Sequence, residues 1–111
     1  MFNLAHEDPD HKPLVLWLIG GPGCSSLDGW PSEHGPMQMV ENGNYKINEY
    51  SWDRAANILY IESLGDVGFS YIDSKLDYEL VIDNDITAKD NLKVLLVFLK
   101  NFLLLKEEIL I

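Results

Sequence analysis

Three stretches of the chain carry enough apolar residues in a regular pattern to predict elements. Leu14-Val15-Leu16-Trp17-Leu18-Ile19 is an unbroken β-prone run with no alternation. It predicts a strand over residues 13–19 buried on both faces, as in a parallel sheet covered by helices. Residues 55–62 repeat the pattern and predict a second buried strand. From about Asn84 to Lys106 the period changes. Ala88, Leu92, Leu95, Leu99 and Phe102 recur every three or four residues, and Leu96 and Leu103 widen the stripe. That spacing predicts one long amphipathic helix packed on the sheet by its apolar face. Acids and a capping residue lie in Asp83–Asp85, and Lys100 and Lys106 sit toward the far end, as the helix dipole favours.

Between these stretches the punctuation is equally marked. Gly20-Gly21-Pro22-Gly23 stops the first run, and a short helix is predicted over Cys24–Trp30 with Pro31 bounding it. Residues 37–48 read as a hairpin turning at Asn42-Gly43. Residues 1–12 read as a polar, solvated lead-in with a turn at Asp8-Pro9-Asp10. Residues 72–83 are an acidic connection. Ile109-Leu110-Ile111 is apolar enough to begin another strand. Strand, loop, helix, hairpin, strand, loop, helix is the alternation of an α/β sheet.

Composition narrows the function classes. A chain of 111 residues holds at most one domain. Its net charge of −10 argues against nucleic acid or an anionic membrane surface as partner, since both require a basic patch. No apolar run reaches the length of a membrane span. The first residues lack the basic start and apolar core of a signal peptide. With a single cysteine, Cys24, no internal disulfide forms, and the usual place for such a residue is a buried apolar site. His6, Glu7, Asp8, Asp10 and His11 cluster near the start. They lack a repeated ligand spacing, so no metal site is assigned, and no cofactor is implied.

The candidate chemistry lies in the two glycine-rich loops that follow the predicted strands. Open α/β sheets bind ligands at the carboxyl ends of their strands. Glycines there let backbone N–H groups approach developing negative charge. The pattern alone is equally that of a tight strand-to-helix turn with no chemistry.

Residues 17–29, WLIGGPGCSSLDG, closely resemble the signature of the serine carboxypeptidase family. The resemblance continues in register through Glu33-His34-Gly35-Pro36, Tyr50-Ser51-Trp52 and Ala56-Asn57. It then takes in Leu59-Tyr60-Ile61-Glu62-Ser63, Val67-Gly68-Phe69-Ser70-Tyr71, Thr87-Ala88 and Asp90-Asn91. It spans about residues 12–106 and implies the amino-terminal part of an α/β-hydrolase domain, with residues 1–111 a single partial domain. It implies removal of residues from peptide or protein C-termini, in a secreted, vacuolar or lysosomal setting. Alternative readings are a non-catalytic truncated homologue or interaction protein, and an acyltransferase variant of the family.

The residue roles that follow are implied by the resemblance. Gly21 supplies an oxyanion-hole N–H. Trp17, Gly20 and Glu33 contact the substrate carboxylate, and Ile19 stands where the family has asparagine. An isoleucine side chain donates no hydrogen bond, so carboxylate recognition is expected to weaken by about 1.5–3 kcal/mol. Cys24 matches a cysteine that the family pairs with a distant one, and its partner is not in these 111 residues. Leu64-Gly65-Asp66 replaces the family's Pro-Ala-Gly. The family's nucleophile sits on a G-x-S-x-G elbow. No such motif occurs here, and the resemblance places the elbow, the aspartate and the histidine beyond Ile111. Ser25, Ser26, Ser63 and Ser70 are not nucleophiles by motif, and the three histidines read as surface or packing residues. The isolated chain is therefore expected to be inactive, and its unpaired strand edges and apolar helix face to favour self-association.

Overall fold

A computed structural model describes residues 1–20, 23–63, 67–73, 83–102 and 109–110 of the chain. Two parallel strands form its centre. β2 (Leu14–Trp17) pairs with β5 (Asn57–Tyr60) in the register Leu14↔Asn57 to Trp17↔Tyr60. A short β1 (Phe2–Asn3) adds antiparallel to β5, and β6 (Ile109–Leu110) adds parallel to β2. The sheet order is β1-β5-β2-β6. A separate hairpin is formed by β3 (Met37–Met39) and β4 (Tyr45–Ile47), and α1 spans Asn84–Asn101.

Successive residues of a strand face opposite sides, and the two faces of this sheet bury different chemistry. On one side Leu14, Leu59, Ile61 and the helix residue Leu95 form the apolar core, with Phe2, Leu16, Phe98 and Leu99 packed around it. Phe2 stacks edge-on against Phe98, with ring centroids 5.0 Å apart. On the other side the alternate residues Trp17 and Tyr60 meet His34 and Trp52. His34 lies 4.1 Å from Trp17, 4.9 Å from Trp52 and 5.5 Å from Tyr60, centroid to centroid, and is parallel to the Tyr60 ring.

The described residues depart from several expectations. β2 is four residues long and only Leu14 in it is fully buried. Its pairing with β5 ends at Trp17↔Tyr60, so Leu18 emerges 40% exposed. The lead-in is more than solvated chain. Phe2 and Asn3 join the sheet and Ala5 is buried, although two strand residues are too few to show a period. The turn at Asp8-Pro9-Asp10 is present as a 3₁₀ turn, Pro9–His11. The predicted helix over Cys24–Trp30 is two separate turns, Ser26–Asp28 and Trp30–His34. Pro31 lies inside the second turn, near its start, where its missing N–H is not required. The hairpin forms as expected, but its turn is three residues, Glu41–Gly43, with Asn42 and Gly43 both at positive φ. Cys24 is an exposed free thiol, not a buried apolar residue.

The second strand is buried along its whole length, as its pattern predicts. α1 starts where expected, with the Asp83 side chain accepting from the Asp85 N–H. Of its predicted stripe, Leu95 is buried and Leu99 half-buried, while Ala88, Leu92 and Phe102 stay exposed. The continuation to Lys106 and the loop residues Leu64, Gly65 and Asp66 lie outside the described residues.

Asn57 ties the amino-terminal segment to the sheet. Its side chain is fully buried, accepts the Ala5 N–H at 2.9 Å and donates to the Pro9 and Lys12 carbonyls at 2.9 and 3.1 Å. An alanine there removes the acceptor for the Ala5 N–H and the side-chain donor to the Lys12 carbonyl, while the Pro9 carbonyl keeps the Lys12 N–H. Asn57→Ala is expected to lower the stability of the chain by about 1–3 kcal/mol, read by urea denaturation.

His34 sets a pH dependence. Burial among aromatic rings disfavours its charged form and lowers its pKa from 6.5, against a weaker opposing pull from the Glu33 carboxylate. Below that pH the unfolded chain takes up a proton that the folded chain refuses. The His34 contribution is therefore intact above pH 6.5 and is lost as pH falls through the lowered folded value. Denaturation midpoints are expected to fall as pH drops below 6.5, and His34→Phe, which keeps a ring without a titration, to flatten that part of the profile.

Candidate functional site

Parallel strands end at the same edge, so the loops following β2 and β5 emerge together at the carboxyl rim of the sheet. The first loop begins with Leu18, Ile19 and Gly20. The Ile19 N–H donates to the Ser26 hydroxyl at 3.3 Å, which turns the chain back over the strand end. Gly20 is exposed, and a Cβ built on it meets nothing within 4 Å. Gly23 has φ +94°, a conformation that side-chain-bearing residues rarely adopt. Gly21, expected to carry the oxyanion-hole N–H, lies outside the described residues, as does Pro22.

Trp17, Ile19 and Gly20 are thus brought to one edge by the end of β2. Trp17 is half-buried, and its indole N–H has no partner among the described residues. It lies beside Gly29, where a Cβ would approach the indole nitrogen to 2.8 Å. Glu33 is exposed on the turn Trp30–His34. The neighbour that stacks on Trp17 is His34, 4% exposed, with both ring nitrogens unpartnered among the described residues. The Tyr60 ring stacks on His34, and its hydroxyl is buried with no partner among the described residues. Burial, with a smaller effect of the Asp53 charge, pushes its pKa up to about 12 and keeps it protonated.

The sequence reading missed two features of this rim. One is the aromatic box around His34, for which the available signal was a histidine set between Glu33 and Gly35-Pro36. The other is Glu62. Its carboxylate accepts from the Ser25 hydroxyl and from the Phe69 N–H, and its carbonyl accepts from the Ser70 hydroxyl at 2.8 Å. It therefore joins the loop after β2 to the loop after β5.

Among the described residues of the rim, the Ile19 and Phe69 N–H groups are taken by Ser26 and Glu62, Gly20 is exposed and Trp17 is half-buried beside Gly29. Among the described residues no group of three or more histidine, cysteine, aspartate or glutamate side chains is placed to hold a metal ion. No helix among them is long and apolar enough to cross a membrane.

Comparison with known proteins gives this rim a family. Residues 1–110 match the sequence profile of the serine carboxypeptidases. The mouse lysosomal protective protein is 46% identical over 99 residues, covering 88% of this chain and 20% of that protein. A serine carboxypeptidase of Caenorhabditis elegans is 45% identical over 95 residues, covering 85% of this chain and 20% of its own length. Among solved structures, a prohormone-processing carboxypeptidase from Saccharomyces cerevisiae superposes with a TM-score of 0.72 at 32% identity, over 88% of this chain and 22% of that one. The chain spans about one fifth of the length of these relatives. With the profile match running almost from end to end, the chain belongs to the serine carboxypeptidase family.

Proposed function

We propose that these residues supply the electrostatic part of a serine carboxypeptidase site, acting on the C-terminal residues of peptides or proteins. In this reading Gly21 donates a backbone N–H to the oxyanion hole, and Trp17, Gly20 and Glu33 lie against the terminal carboxylate of the substrate. The setting proposed is lysosomal, vacuolar or secreted; one mouse relative is named for the lysosome.

The observation that carries the reading is the open glycine loop at the carboxyl rim. Gly20 leaves room for a substrate to approach the backbone, and Trp17 provides an apolar wall beside it. A pre-aimed N–H of this kind acts on the charge that develops on the carbonyl oxygen during attack. Losing one such donor typically slows acyl transfer about 100- to 1000-fold. The donor stabilises the transition state but breaks no bond, and the 111 residues contain no G-x-S-x-G elbow to supply an attacking serine.

Recognition of the carboxylate is proposed to be weak in this chain. Ile19 replaces a hydrogen-bonding asparagine, and its backbone N–H is already directed to Ser26.

Two measurements test the reading. The 111-residue chain is expected to hydrolyse no blocked dipeptide above background; turnover abolished by a serine-directed inhibitor would overturn this. In a chimera where residues 12–102 replace the matching segment of an active family member, Ile19→Asn is expected to raise kcat/KM about tenfold or more. An unchanged kcat/KM would reject the proposed role of position 19.

A further inference from the structure

Glu62 stands two residues past the end of β5, where the carboxyl rim begins. Its two carboxylate oxygens have separate tasks. Oε1 accepts from the Ser25 hydroxyl in the loop after β2, and Oε2 accepts from the Phe69 N–H in the loop after β5. The Glu62 carbonyl takes a third bond, from the Ser70 hydroxyl at 2.8 Å. The carboxylate lies against Gly68, which has φ +56°, and a Cβ at that position would run into it. Gly68 therefore serves both the sharp bend of the chain and the close approach of Glu62.

The link extends further on the Ser25 side. The Ser25 hydroxyl also accepts the Leu27 N–H at 3.2 Å, which caps the turn Ser26–Asp28. The adjacent Ser26 hydroxyl receives the Ile19 N–H. A chain of hydrogen bonds thus runs from Phe69 through Glu62 to Ser25, one residue from the group that pins Ile19, with Gly20 and Gly23 lying between these anchors.

We propose that Glu62 is a positioning residue. Its carboxylate clamps the glycine loop after β2 to the Gly68–Ser70 loop after β5 and sets where the amides of the first loop point. The inference rests on the proposed role of that loop as an oxyanion-hole donor, but the clamp itself is testable without hydrolysis. A carboxylate suits the task because both of its oxygens accept. A glutamine keeps an acceptor for the Phe69 N–H and can turn its NH₂ toward the Ser25 hydroxyl, which then accepts, so it retains the link only through neutral bonds. Bonds to an ionised acceptor are also about twice as strong as neutral ones.

The test is amide hydrogen exchange, followed by NMR on the full 111-residue chain, in a double-mutant cycle of Ser25→Ala and Glu62→Ala with Glu62→Gln as a third variant. Amides of Val15 and Ile58 report whether the sheet stays folded. Ser25→Ala is expected to speed exchange at Phe69 about tenfold in the wild-type background, the equivalent of one hydrogen bond to a charged group, and to add nothing once Glu62 is replaced. The Gly20 and Gly23 amide signals are expected to move with Glu62→Ala, and Glu62→Gln to keep part of the protection at Phe69. Equal effects of Ser25→Ala at Phe69 in both backgrounds, or unmoved Gly20 and Gly23 signals in Glu62→Ala, would overturn the clamp. A hydrolysis assay that contradicts the proposed function leaves this cycle unaffected, and an uncoupled cycle leaves the proposed function standing.

Discussion

The pairing of β2 with β5 is the constraint from which the rest of the structure follows. Two parallel strands in register, Leu14 beside Asn57 and Trp17 beside Tyr60, must begin at one edge and end at the other. The amino edge is where Asn57 gathers the lead-in, through Ala5, Pro9 and Lys12. At the carboxyl edge two glycine-containing loops emerge side by side. A one-residue slip would exchange the faces of the sheet, setting Trp17 or Tyr60 against α1 and leaving His34 without its stack.

The two faces answer to different forces. Toward α1 the contact is apolar, and burial of Leu14, Leu59, Ile61 and Leu95 is its driving term. Toward the turn Trp30–His34 the contact is aromatic and carries polar atoms into the interior. The Trp17 indole N–H, both His34 nitrogens and the Tyr60 hydroxyl are buried there with no partner among the described residues. Such a face is expensive to form and sensitive to protonation, and it backs onto the wall of the candidate site. The apolar face of α1 is only partly used. Leu92, Val94, Leu96 and Val97 are about half exposed or more, alongside a buried Leu95.

Family membership and physical reading support each other at the rim. The profile match covers residues 1–110, and the structural relative superposes on most of the chain. The geometry adds what a motif does not state. The Ser25 in the signature and the Glu62 some 37 residues later are parts of one hydrogen-bonded unit. That unit explains why a serine follows the glycine loop and why a glycine stands at position 68, both for reasons of local packing.

The sequence by itself determined the elements whose pattern is long and regular. The buried run Asn57–Tyr60, the cap and first turns of α1, the hairpin around Asn42-Gly43 and the two glycine breaks were all legible, because burial and backbone freedom select residue types locally. Only the tertiary structure decided what required a partner distant in the chain. Phe2 and Asn3 became a strand because β5 offered an edge and Phe98 a ring to pack on. His34, adjacent to the expected Glu33, became the buried member of that pair because Trp17 and Tyr60 project from the same face of two parallel strands. Glu62 acquired two donors because the strands end together, a consequence of register that no spacing along the chain expresses.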